Sequence, residues 1–391
     1  MLSALDAERL LTTAEAQTGL TDWGGDAYFE SSFRTLFTAM AWSLENEASL
    51  TERGRHGVAL RLAAIAEMRL RFIEDRKSTP AILAEPITAP IFILGLPRAG
   101  SSFLLSLMSR DPRNRSPRSW EMLLPSPLPE RVTYTTDPRI ARAAVIMQSM
   151  GLCDPGVTGL HPFNAREPEE DHWLMELMAM GENLQGLWRM PQYMKVRASI
   201  DLREAYLTHR MLLQNLQHRN RGERWVLKNP GHIFYLEHLL AVYPDARIIQ
   251  THRDPGAIIP SVTALLLAMR HAASDAEYSG EKIARGNLKA FAAGLTTAIA
   301  LRTKPEINAH FHDVHFRAMV TDPISTVRAI YQRFGMQLTQ EAEQAMREWL
   351  SSDDSHAAKA KFTLSQFGLD VEQIDAAFGN YLNHYAVTRE R

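Results

Sequence analysis

The sequence predicts an α/β fold with a mainly parallel central sheet, and three observations carry that expectation. Short runs rich in β-branched and aromatic residues recur at Pro90-Ile-Phe-Ile-Leu94, Arg224-Trp-Val-Leu227, Ala246-Arg-Ile-Ile249 and Val314-His-Phe316. Helical patterns lie between and after them, at 232–242, 256–270 and 323–334. The first run breaks at Gly95-Leu-Pro-Arg-Ala-Gly-Ser-Ser102, and a helical pattern through Phe103, Leu104, Leu107 and Met108 follows at once, as in a strand–turn–helix unit.

Before this unit, residues 1–86 read as a helical N-terminal segment. Val58, Leu62, Ile65 and Phe72-Ile73 are spaced for an apolar face, and Arg61, Glu67, Arg69 and Glu74 suit an exposed one. Three prolines between Pro80 and Pro90 mark a linker, so a second domain is expected over 87–391. Prolines crowd a loop-like stretch between about 112 and 138, and a helical insertion outside the sheet is expected from about 130 to 220.

With 391 residues the chain can bury a large core, and its net charge of −2 gives no reason to expect nucleic acid as a partner. The lone Cys153 cannot close an internal disulfide, which suits a reducing compartment. The N-terminus carries early acids and no apolar stretch flanked by basic residues, unlike a secretory signal. No apolar run approaches the roughly 18–20 residues of a membrane span. A soluble, cytoplasmic protein is expected.

A strand, a glycine-bearing turn and a helix make a device for binding phosphate. Glycines let backbone N–H groups approach the anion, and the positive end of the helix dipole favours it. Gly95-x-x-x-x-Gly100-Ser101-Ser102 has the loop length of a nucleotide-triphosphate P-loop, but Ser101 stands where that motif carries lysine. Its cation lies inside the loop, at Arg98, which argues against a P-loop nucleotide kinase or nucleotidase. That kinase reading and a non-catalytic nucleotide-binding protein are the two alternatives.

Pro97-Arg-Ala-Gly-Ser-Ser102 resembles the 5′-phosphosulfate loop of the sulfotransferases that use 3′-phosphoadenosine 5′-phosphosulfate (PAPS), whose usual form is Pro-Lys/Arg-Ser-Gly-Thr-Thr. Ala99 departs from the common serine, and Ser101-Ser102 keep the hydroxyls of two threonines. The resemblance implies a P-loop-like three-layer fold. It also implies that Arg98, Ala99, Gly100, Ser101 and Ser102 hold the 5′-phosphosulfate. Sulfotransferases bind the donor's 3′-phosphate with an Arg that ends a strand and a Ser eight residues later; Arg253 and Ser261 stand at that spacing, 155 residues after the loop cation. Arginine offers a planar fork of donors to a dianion and serine adds a hydroxyl.

Trp225-Val-Leu-Lys228-Asn-Pro-Gly-His232 resembles the Leu-Lys-Ser-Pro-x-His segment of bacterial members, which implies that Lys228 points at the bridging oxygen of the donor. The likeness continues at Thr18-Gly-Leu-Thr-Asp-Trp-Gly24, at Trp120-Glu-x-x-x-Pro125 and at Phe362-Thr-Leu-Ser-Gln-Phe-Gly-Leu369, and so covers nearly the whole chain. Its implied chemistry is in-line transfer of a sulfuryl group to a hydroxyl of a small-molecule acceptor, with positioning and charge stabilisation supplying most of the catalysis. Arg98 can neutralise charge in this scheme but cannot donate a proton at ordinary pH.

Three candidates compete for the general base that takes the acceptor's proton. Glu121 stands 23 residues after Arg98, a distance similar to that of the catalytic Glu in the protein-tyrosine and glycosaminoglycan branches. His232 is the second, because cytosolic members use a His close after the equivalent strand. The run Glu169-Glu170-Asp171-His172 is the third, although such a run usually reads as a solvated helix face. No metal is expected: there is no His-Glu-x-x-His, and the rings of His312 and His315 would fall on opposite faces of a strand.

Overall fold

The computed structural model describes residues 5–181, 187–352 and 362–390. Five strands form one parallel sheet in the order β2-β3-β1-β4-β5, where β1 is Ile91–Gly95, β2 Asn114–Arg115, β3 Arg224–Lys228, β4 Arg247–His252 and β5 Phe311–His315. All five residues of β1 are buried, which is why the sequence there is a continuous apolar run rather than an alternating one. Ile91 and Ile93 face a core with Leu104, Leu107, Val226, Ile249, Val327 and Met346, while Phe92 packs against Tyr243 and the ring of His232. Because β3 and β4 flank β1 on opposite sides, the chain end of β1 lies at the topological switch point, where open α/β sheets bind ligands.

The chain divides into two compact units. One comprises residues 88–116, 222–267 and 278–391 and contains the sheet; the other comprises 1–87, 117–221 and 268–277. In the sheet unit, β5 begins three residues before Val314, and Phe316 opens a helix, Phe316–Thr321, instead of closing the strand. The helix Gly280–Arg302 was not expected. It buries only Ala284, Leu295 and Ala298 among its residues, so it carries little apolar periodicity to read. The proline-crowded stretch after 112 holds β2 and the short helix Ser119–Leu123.

In the helical unit the long helix Glu52–Ser78 corrects the expected solvent face. Arg61 and Arg69 are fully buried, because each stands one turn from buried Ile65 on the same side of the helix. Arg61 donates to Glu176 at 2.7 Å and to the Leu123 carbonyl at 3.1 Å. Arg69 donates to the carbonyls of Leu177 and Tyr28 and lies 4.2 Å from the ring centre of Phe33. Glu74 is exposed as expected, and Glu67 pairs with Arg71 and Arg142.

Candidate active site

The loop after β1 is built on two glycines with positive φ. Gly95 has φ +134°, and a Cβ there would lie 2.5 Å from the Thr251 carbonyl on β4; Gly100 has φ +87°, and a Cβ would meet Met319 and Phe316. A side chain at Gly95 would push the loop off β4, and one at Gly100 would crowd Met319 and Phe316 in a backbone conformation that side chains rarely adopt. Gly100 occupies the N-cap of helix Ser101–Met108, and no side chain caps that helix end. Arg98 also adopts the left-handed region at φ +68°, a strained choice for a residue with a Cβ, worth about 1–3 kcal/mol. Such strain persists only where surrounding contacts impose it.

Those contacts come from residues distant in sequence. Arg253 follows β4 directly, and its Nη1 donates to the Arg98 carbonyl at 2.8 Å. The Arg98 Nε donates to the Ser261 hydroxyl at 3.1 Å, from the helix Pro255–His271. The structure therefore brings Arg98, Arg253 and Ser261 together at the ends of β1 and β4. Arg253 lies over Phe316, 3.9 Å from its ring centre, and gives Nε and Nη2 to the Glu390 carboxylate. Its acidic partner is thus Glu390. The adjacent Asp254 is buried and accepts from Arg389, from the Glu390 N–H and from the Gly256 N–H. Arg253, Phe316, Arg317 and Glu390 line a cavity of about 740 Å³. Phe316 and the segment Val387–Glu390 carry no local motif that would have announced them.

Lys228 ends β3 directly opposite Ile93 of β1 and is fully buried. The next residue, Asn229, donates its N–H to the Ile93 carbonyl, and its side chain accepts from the Gly231 N–H at 2.7 Å. This turn places His232 beneath the sheet, buried, with its ring edge-on to Phe92 at 5.3 Å. Lys228 and His232 are thus held against the same central strand that launches the loop.

A hydrogen-bond network with a buried centre at His252 and Tyr381 stands behind Arg253. His252, the last residue of β4, contacts Asp313 through Nε2 at 2.8 Å and the Tyr381 hydroxyl through Nδ1 at 3.2 Å. Arg302 clamps Asp313 with two bonds of 2.7 and 2.8 Å. Burial pulls His252 toward its neutral form, although Asp313 opposes this. The hydrogen bonds from Arg302 and His252 outweigh burial at Asp313 and hold its carboxyl well below the usual carboxylate range.

Glu121 belongs to the helical unit and is fully buried. Its Oε1 accepts the Arg118 N–H at 2.9 Å and the Tyr134 hydroxyl at 2.5 Å, so it closes the first turn of Ser119–Leu123. The acidic run is no solvated face, as the sequence had suggested. Glu169, Asp171 and His172 are buried, because the backbone of 165–169 is bonded to residues 117–120. Glu169 pairs with His161 at 2.7 Å, Asp171 lies 3.8 Å from His209, and His172 lies 3.5 Å from Glu170. Among the described residues no group of three or more His, Cys, Asp or Glu side chains could hold a metal ion. No helix among them is long and apolar enough to cross a membrane.

Comparison with known proteins shows which family the chain is similar to. The model of the sulfotransferase family matches residues 90–340. The omega-hydroxy-beta-dihydromenaquinone-9 sulfotransferase Stf3 of Mycobacterium bovis is 25% identical over 342 residues, covering 82% of this chain and 80% of its own. The crystal structure of sulfotransferase STF1 from Mycobacterium tuberculosis aligns with a TM-score of 0.80 and 30% identity over 96% of this chain and 99% of its own. Sulfotransferase STF9 from Mycobacterium avium aligns with a TM-score of 0.85 and 25% identity over 99% and 98%. With the P-loop-like fold of these neighbours and a family match over most of its length, the chain belongs to the sulfotransferase family.

Proposed function

We propose that the chain transfers the sulfuryl group of PAPS to a hydroxyl of a small-molecule acceptor. The observation that carries this reading is the joining of Arg98, Arg253 and Ser261, which combines two guanidinium groups and a hydroxyl at the switch point of the sheet. That donor set suits a phosphate dianion. Arg253 and Ser261 take the 3′-phosphate, while Arg98, Ala99, Gly100, Ser101 and Ser102 cradle the 5′-phosphosulfate at the helix N-terminus.

In the reaction an acceptor oxygen–sulfur bond forms as the bond from sulfur to the 5′-phosphate oxygen breaks. Fully buried Lys228 and half-buried Arg98 stabilise the charge that grows on that oxygen, and donors removed from water count most. Glu121 takes the acceptor proton, with His232 as the competing base. The positive charge comes from side chains, without a metal. The name of the mycobacterial relative, which specifies an omega-hydroxy compound, supports a hydroxyl acceptor. The lone, exposed Cys153 supports work in the reducing cytoplasm.

Ser101 in place of the P-loop lysine disfavours a nucleotide kinase. The test is a screen of hydroxyl acceptors with radiolabelled PAPS, together with calorimetry of 3′-phosphoadenosine 5′-phosphate against ATP. Sulfated product and a clear preference for the 3′-phosphorylated nucleotide support the reading. Equal affinity for the two nucleotides overturns it.

A further inference from the structure

Arg253 is the first residue beyond the β4 ladder, whose last register pair is His252 with His315. The sheet therefore no longer fixes its backbone. The residue before it, His252, is the anchor instead: its Nδ1 lies 3.2 Å from the Tyr381 hydroxyl. The Asp313 carboxylate can only accept, so Nε2–H donates to it, and the one-proton phenol of Tyr381 donates to Nδ1. This requires a neutral imidazole, and burial favours that form. Arg302 fixes Asp313 in turn and also donates to Gln250 on β4 at 2.8 Å. His252 and Tyr381 are almost wholly buried, where hydrogen bonds are strong and misplacement is costly.

We infer that Tyr381 and His252 are positioning residues that aim Arg253 at the 3′-phosphate, through the chain Arg302–Asp313–His252–Tyr381. The inference rests on the proposed role of Arg253. A bidentate fork tolerates little angular error, so a backbone that can shift loses the contact to the phosphate before it loses the nucleotide. The readout that separates aiming from general stability is the ratio of affinities for 3′-phosphoadenosine 5′-phosphate and 5′-AMP, which differ only by the 3′-phosphate. Partial unfolding lowers both affinities equally and leaves their ratio unchanged.

Tyr381→Phe removes one oxygen and keeps the ring, and should lower that ratio by roughly three- to ten-fold, the size of one lost buried hydrogen bond. His252→Gln, which retains one donor and one acceptor, should keep more of the ratio than His252→Leu. Calorimetry of the purified full chain reads all three variants, with Arg253→Ala as the reference. If Arg253→Ala collapses the ratio while Tyr381→Phe and His252→Gln leave it at the wild-type value, the positioning role is overturned and the role of Arg253 stands. If Arg253→Ala also leaves the ratio unchanged, both fall.

Discussion

Glu390 holds Arg253 through both carboxylate oxygens, with Nε and Nη2 donating at 2.6 and 2.8 Å. The carboxylate thus sits where the proposed chemistry seats a phosphate, and it is itself anchored through its N–H on Asp254. A 3′-phosphorylated nucleotide must exchange one anion for another, whereas 5′-AMP need not. Glu390→Ala should tighten binding of 3′-phosphoadenosine 5′-phosphate by about two- to five-fold, given the roughly 0.2–1 kcal/mol of an exposed ion pair. Titration calorimetry with both nucleotides checks this; 5′-AMP should bind as before.

Arg253→Ala should weaken 3′-phosphoadenosine 5′-phosphate by about 10- to 100-fold, the loss expected for charged hydrogen bonds. Arg253→Lys keeps the charge without the fork and should fall between the two, because lysine cannot bind bidentately. Binding isotherms measured at one salt concentration decide it.

Glu121→Gln keeps an oxygen acceptor for Tyr134 and the Arg118 N–H, so the turn should persist. If Glu121 is the base, kcat should fall by roughly 10²–10⁴ with donor affinity nearly unchanged. His232→Ala should then cost less kcat. The reverse ranking would make His232 the base.

Arg61 and Glu176 form a fully buried ion pair in the helical unit. Removing one partner strands the other charge, so Arg61→Met should destabilise by about 3–5 kcal/mol. Arg61→Met with Glu176→Leu should lose less than the single change. Denaturant unfolding of the three proteins reads the difference.

Acid should act on the network behind Arg253 in two windows. His252 is held below its ordinary pKa, so it binds fewer protons folded than unfolded, and stability falls as pH drops below about 6.5. Asp313 is also depressed, so its contribution is present above about pH 4 and is lost as pH falls further. His252→Gln should flatten the first slope and Asp313→Asn the second, in melting temperatures followed against pH.

The legible parts were those written locally. Gly95, Gly100 and Arg98 lie in one loop, and Arg253 and Ser261 are eight residues apart, so a reader of single segments finds them. Their meeting point was readable only through resemblance, because no local rule links residues 155 apart. Arg61 and Arg69 misled because a helix buried on several sides can carry arginines inward when carbonyls and a carboxylate await them. Glu390, 137 residues from Arg253, left no trace in the sequence around the strand it serves. The two-residue β2 and the alanine-rich helix Gly280–Arg302 were too short or too weakly patterned to register.

The strand order also sets a timetable for synthesis. Among the described residues β1 pairs only with β3 and β4, and β3 is not complete until Lys228 has been made. At about 5–20 residues per second, the 133 residues after Gly95 occupy the ribosome for roughly 7–27 s. Throughout that interval the most apolar strand of the nascent chain, Ile91–Leu94, has both edges unpaired. Its two open edges can pair wrongly in that time, and a slowed ribosome would prolong the exposure.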